Sequence, residues 1–241
     1  METSKITDVY GQAIKDHYTG KDTRLLTFSS IAGEDELPLA HLFRAFDEMP
    51  ELERLALSLS SGHVLDLGCG TADVIVRFAK NYPRAIITGI DGADEMLDIA
   101  RHDIEHRGYS DRIELKKCFL PDPGLSAQKF DAVISNSLLH HLADPLVLWE
   151  TLKKSAINGA PVLIMDLMRP ESEKSAKDFM LKYAADESPL LQKDFYNSLL
   201  AAYNVREIEH QLRCMHLDFL NIERVSDRHI LVWGRMNISS K

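Results

Sequence analysis

With 241 residues, 45% hydrophobic and 27% charged, the chain has the composition of a globular protein and the length for one α/β domain with an addition. A net charge of −9, with no basic run longer than Lys116-Lys117 or Lys153-Lys154, argues against nucleic acid as a partner, because phosphate binding needs clustered cations. Three cysteines without C-x-x-C spacing, no apolar leader after Met1 and no apolar run of membrane-spanning length together predict a cytoplasmic protein with reduced thiols.

Residues 1 to about 60 read as helices rather than strands. Val9, Ala13, Ile14 and Tyr18 form one stripe, and Leu37 to Leu59 carries a longer apolar pattern broken at Pro50. Thr19-Gly20-Lys21-Asp22 and Gly33-Glu34-Asp35 read as turns. This segment is expected to be a helical N-terminal cover on a second unit at 61–241. Its Tyr10, His17, Tyr18, Arg24 and Phe28 suit a core as well as a site.

From residue 63 strand and helix patterns alternate, which predicts right-handed βαβ units and a parallel sheet. A strand at 63–67 precedes a helix over 71–81, a strand over 85–90 and a helix over 93–107 with Met96, Leu97, Ala100 and Ile104 inward. A strand at 112–118, the loop Pro121-Asp122-Pro123-Gly124 and a strand at 130–135 follow. Leu146, Trp149, Leu152 and Ala156 share one face of a helix over 144–156, which Asn158-Gly159 stops before a strand reaching Leu167. Residues 168 to 218 exceed what one crossover needs, so helices at 171–184 and 190–203 are read as an insertion, with 205–215 the ordinary crossover helix. Two last strands, at 219–225 and 228–235, lie too close in sequence for anything but a hairpin.

The stretch Val64-Leu65-Asp66-Leu67-Gly68-Cys69-Gly70-Thr71-Ala72-Asp73 reads as a buried strand, a two-glycine turn and a helix start, with Val74, Ile75, Phe78 and Ala79 on the helix's apolar face. Its free N–H groups and positive dipole end suit an anionic group. Asp91 ends the next strand twenty-one positions beyond Gly70, where a carboxylate can accept hydrogen bonds from a ribose or cap the following helix. A dinucleotide site would want Gly or Ala at Asp73, since a carboxylate there repels a diphosphate.

These motifs, with Gly89-Ile90-Asp91, Met96-Leu97, Phe130-Asp131-Ala132-Val133-Ile134-Ser135-Asn136 and His140-His141-Leu142, resemble the class I S-adenosylmethionine (SAM) dependent methyltransferases of small-molecule type. The resemblance implies a Rossmann-like sheet of order 3-2-1-4-5-7-6, counted from the strand at His63, with the last strand antiparallel. It implies SAM as cofactor and S-adenosylhomocysteine (SAH) as product. Gly68, Cys69 and Gly70 would wrap the methionine part, and Asp66 would orient the loop or hold the ammonium group. Asp73 would meet that ammonium or serve the helix dipole. Asp91 and Gly92 would take the ribose, Met96 would pack under the adenine, and Asn136 and Ser137 would line the pocket floor. Many relatives carry an adenine-binding Asp where this chain has Cys118 and Phe119, so Phe119 is expected to cover the adenine face.

Methyl transfer needs a general base only when the nucleophile must lose a proton; His141 first, and then His140, are the candidates. Asp166 and Arg169 are expected to face the same region, Arg169 holding an anionic group of the acceptor or making an ordinary salt bridge. Tyr18, Tyr196, Asn197 and Tyr203 are candidates for the acceptor pocket or for helix packing. His102 and His106, at i and i+4, lack a third ligand, so no metal is expected. The expected function is methyl transfer to a small molecule in a water-excluded site. The alternatives are an RNA or protein methyltransferase, an enzyme of carboxy-SAM synthase type and a non-enzymatic SAM binder. The inserted helices can serve as a lid or a homodimer interface.

Overall fold

Residues 62–238 are described in the structure, a computed structural model, together with an antiparallel hairpin of β1 (Leu25–Ser29) and β2 (Gly33–Leu37). The hairpin departs from the helices expected for this segment and from the turn expected at Gly33–Asp35. Leu25-Leu26-Thr27-Phe28-Ser29 is a short apolar run with β-branched and aromatic members, for which an extended conformation competes well. The rest of the predicted helical cover, including Tyr10, His17, Tyr18 and Arg24, lies outside the described residues.

Seven further strands form the main sheet: β3 (His63–Leu67), β4 (Ile86–Asp91), β5 (Ile113–Lys117), β6 (Ala132–Asn136), β7 (Pro161–Leu167), β8 (Asn221–Arg224) and β9 (His229–Arg235). Their order is β5-β4-β3-β6-β7-β9-β8, parallel except for β9, which runs antiparallel to both neighbours. Counted from β3 this is the expected 3-2-1-4-5-7-6. The central strands carry apolar side chains on both faces, as a sheet covered on both sides requires. Leu65 and Leu67 point to a core shared with Val133, Trp149 and Ile208, while Val64 points to the opposite core with Ile75, Phe78, Ile87 and Leu97.

The crossovers are α1 (Asp73–Asn81), α2 (Asp94–His106), the one-turn α3 (Pro123–Ser126) and α4 (Leu146–Ser155). In α1 the buried positions are Ile75, Val76, Phe78 and Ala79, and Val74 is exposed, one step round from the predicted face. Ala72, with φ 70°, sets the exit angle of the loop and so decides which face meets the sheet. Where a Pro-Gly loop was expected, Asp122 accepts a hydrogen bond from Leu125 N at 2.6 Å and starts α3.

After β7 come α5 (Glu173–Tyr183), α6 (Pro189–Ala201) and α7 (Val205–Cys214). Ser172 and Ser188 cap the first two, and Asn204 with Glu207 forms a capping box on the third. Leu167, Ala176, Leu199 and Ala202 form the small core of the insertion, with Phe179, Phe195 and Tyr196 packed on it. α6 lies beside the 3₁₀ turn Leu139–His141 beyond β6, and β1 lies beside α5. The insertion therefore stands at the carboxyl ends of the strands, where ligands bind in open α/β sheets. No helix among the described residues is long and apolar enough to cross a membrane.

Candidate active site

The loop from β3 into α1 is shaped by residues of positive φ: Gly68 (75°), Gly70 (52°) and Ala72 (70°). Gly68 and Cys69 N–H both donate to Ile90 O at 2.9 Å, which ties the loop to the neighbouring strand. A Cβ on Gly68 would stand 2.9 Å from Leu138 Cβ, so the absence of a side chain is a packing requirement there. At Gly70 a Cβ would meet nothing within 4 Å; its backbone faces open space.

Asp91 holds this turn in place. Its Oδ2 accepts from Gly70 N and its Oδ1 from Ala93 N, both at 2.9 Å. A carboxylate has about four lone-pair positions, so about two remain for a diol at the end of β4. Ala93, not Asp91, is the N-cap of α2 and has no side-chain cap, so Asp91 closes the turn ahead of the helix rather than capping it. Asp66 is buried at 2% exposure, and no hydrogen bond reaches its carboxylate from the described residues. Burial first, and the charge of Asp91 second, push its carboxyl up to about 7.

Two loop side chains are engaged within the protein itself. The Cys69 thiol lies 3.0 Å from where a Cβ on Gly89 would stand, buried in the core, and burial followed by Asp66 and Asp91 raises its pKa strongly. Asp73 accepts from Thr71 Oγ1 at 2.8 Å, its pKa is raised by burial, and its charged neighbours are Arg77, Asp103 and Arg107. These lie along α1 and at the far end of α2, so the carboxylate serves the start of α1.

At the end of β5, the ring of Phe119 lies over Gly92, where a Cβ would come within 2.7 Å of it. That ring is 70% exposed, unusual for an aromatic side chain held in place. Met96 is half-buried in the first turn of α2, and Cys118 N donates to Asp91 O at 2.9 Å.

Across the loop lies a histidine pair. Asp166, 2% exposed at the end of β7, accepts from Leu139 N with Oδ2 and from Leu167 N with Oδ1, both at 2.7 Å. His140 Nδ1 stands 2.6 Å from the same Oδ1. The His140 side chain is only 4% exposed, whereas His141 is exposed, its ring centroid 4.0 Å from that of His140 at 40°. Partial burial, then the neighbouring His140, hold His141 below the usual 6.5, with Asp166, Asp194 and Asp91 acting the other way. Its ring is therefore neutral at pH 7 and able to accept a proton. Half-buried Asn136 and exposed Ser137 follow β6; Ser137 has φ 58° and donates its N–H to Met165 O at 2.9 Å.

Several candidates are placed elsewhere. Arg169 does not face the histidines: its guanidinium pairs with Glu207 of α7, and its N–H donates to Tyr203 O at 3.2 Å. Glu207 is fixed by the capping box with Asn204, which brings it to Arg169. Of the two readings of Arg169, the ordinary salt bridge is the one present. Tyr196 packs in the core of the insertion, Asn197 is exposed, and Tyr203 Oη reaches Leu142 O at 3.5 Å. His102 and His106 are exposed, and among the described residues no group of three or more His, Cys, Asp or Glu is placed to hold a metal. Asp194 at His141 and Leu138 at Gly68 were not anticipated from the sequence. Neither carries a local signal, since an exposed Asp on a helix and a Leu after a strand are commonplace.

The sheet order, with its terminal antiparallel strand, and a glycine loop facing an acidic strand end define a Rossmann-like methyltransferase fold. Residues 64–155 match the family described as a methyltransferase domain. A ubiquinone biosynthesis O-methyltransferase from Coxiella burnetii is 30% identical over 89 residues, covering 37% of this chain and 36% of that protein. The release factor glutamine methyltransferase of Rhodopirellula baltica is 37% identical over 73 residues, 30% of this chain and 25% of that one. The chain thus spans well under half the length of these curated relatives. Among solved structures, the plantazolicin methyltransferase BpumL in complex with SAH superposes with a TM-score of 0.64 at 16% identity, covering 96% of this chain and 91% of that one. A SAM-dependent methyltransferase from Aquifex aeolicus does so with a TM-score of 0.57 at 21% identity, covering 77% and 88%.

Proposed function

We propose that the protein transfers a methyl group from SAM to a small-molecule nucleophile that gives up a proton, a hydroxyl in the simplest case. The observation that carries this reading is the exposed His141, its basicity held below the usual 6.5, together with a glycine loop whose open backbone is stapled to Asp91. The chain's residues fit SAM. Gly68 and Gly70 would admit its methionine part, Asp66 its ammonium, Asp91 its ribose, and Phe119 with Met96 its adenine; Asn136 and Ser137 would line the floor. SAM supplies a methyl on a sulfonium that departs as a neutral thioether, so the protein need chiefly orient the acceptor and exclude water. His141 takes the proton the acceptor loses. The inserted helices wall the acceptor side, with 61–241 acting as one SAM-binding unit, and free cysteines at 69, 118 and 214 suit a cytosolic setting.

The rivals are less well served. A carboxy-SAM synthase would need a cation for its second, anionic substrate, and Arg169 is engaged by Glu207. An RNA methyltransferase would need a basic surface that a net charge of −9 does not favour. Titration calorimetry with SAM and SAH, followed by a methyl-release screen over small hydroxyl and amine acceptors, tests the reading. Asp91→Ala, which loses charge-assisted bonds to both the loop and a ribose, should weaken SAM binding about 10–100-fold. No heat with either SAM or SAH would overturn the proposal.

A further inference from the structure

We propose that Asp166 is a positioning residue for the proton acceptor: it fixes His140, and His140 fixes the ring of His141 toward the acceptor. The inference rests on the methyl-transfer reading and assigns a role to a buried pair that the transfer step never touches.

Three donors converge on the Asp166 carboxylate. Leu167 N and His140 Nδ1 meet Oδ1, and Leu139 N meets Oδ2. Two of the three come from the turn Leu139–His141, so one side chain of β7 holds the segment that follows β6. A carboxylate only accepts, so His140 presents its Nδ1 proton to Asp166 and its ring plane is set. At 4% exposure that ring is too enclosed to meet an acceptor; what it offers is a surface on which the His141 ring rests at 4.0 Å. His141 is the member of the pair that reaches solvent.

The charges facing His141 come from every side. His140 lies on its own turn, Asp166 on β7, Asp91 at the end of β4 and Asp194 on α6. Asp166 raises the basicity of His141, so removing that charge lowers it. Asp166→Asn also breaks the arrangement sterically. With its oxygen at the Oδ1 position the amide nitrogen faces Leu139 N–H, donor against donor; flipped, it offers His140 and Leu167 no acceptor.

The test compares wild type, Asp166→Asn and His141→Gln in the full chain by SAM calorimetry and by the pH dependence of kcat/KM. His141→Gln should lower kcat about 10²–10⁴-fold. Asp166→Asn should lower kcat about 10–100-fold through misplacement, leave SAM affinity within about twofold, and move the acid limb of kcat/KM to lower pH. A uniform loss of rate with the acid limb unmoved, or no loss, overturns the proposal. Should Asp166→Asn fail to fold, long-range ¹⁵N–¹H spectra of the wild type decide: a proton on His140 Nδ1 is expected, and an Nδ1 that carries no proton refutes the pairing. Those spectra need neither SAM nor an acceptor, so failure of the pair and failure of the methyl-transfer reading are told apart.

Discussion

Asp66, the residue proposed to meet the ammonium of SAM, carries a cost in the ligand-free protein. Its carboxyl rises from the usual 3.8 to about 7 in the fold, through burial and then the charge of Asp91. Between those values the folded chain binds a proton that the unfolded chain does not, so folding stability falls as pH rises from about 4 to about 7. Above that the penalty is complete, on the order of 4 kcal/mol at most. Asp66→Asn should therefore stabilise the ligand-free protein at pH 8, have little effect near pH 4, and weaken SAM binding. Urea unfolding at the two pH values, with and without SAM, checks all three. From the sequence Asp66 was legible as an acidic strand end. That no described residue donates to it was not, because that depends on how β3, β4 and the loop close around it.

At the scale of elements, the insertion is anchored. The Tyr183 hydroxyl donates to Asp227 in the turn between β8 and β9, Lys182 Nζ donates to the same oxygen at 2.9 Å, and the Arg228 guanidinium lies 3.6 Å over the Tyr183 ring. Partial burial opposes ionisation of Asp227, yet the hydrogen bonds from Tyr183 and Lys182 outweigh it and hold the carboxyl below the usual 3.8. The clasp is therefore intact at neutral pH and is lost only as pH falls below that range. Asp227→Asn should loosen the end of α5, and trypsin should then cut after Lys182 several-fold faster than in wild type; an unchanged rate would mean that packing alone holds the helix. Surplus chain between Met168 and Asp218 made two inserted helices legible, because amphipathic periods and capping serines are local. The clasp was not legible, since Tyr183 and Asp227 are brought together only by the antiparallel return of β9 along β7.

For the whole molecule, charge and layering set the outlook. A net charge of −9 predicts no salt-dependent retention of RNA or duplex DNA in filter binding at about 50–150 mM salt, where a basic groove would give strong retention. The glycine loop after a buried strand and the carboxylate that staples it were both readable, because strand burial, turn glycines and the spacing to Asp91 are properties of nearby residues. The N-terminal hairpin was misread because a five-residue apolar run fits either period.

By itself the sequence determined the alternation of strands and helices from His63, the closing hairpin and the glycine turn at Val64–Asp73. Each follows from hydrophobic period, turn chemistry or a connection too short for any other topology. Only the tertiary structure decided which charged and polar groups are free to act. Arg169 looked available until α7 brought Glu207 to it, and Asp73 until Thr71 and the helix charges surrounded it. His140 and His141 are adjacent and alike in sequence. Asp166, arriving from another strand, buries one and leaves the other exposed. Periodicity is set along the chain; the partner of a charge is set across it.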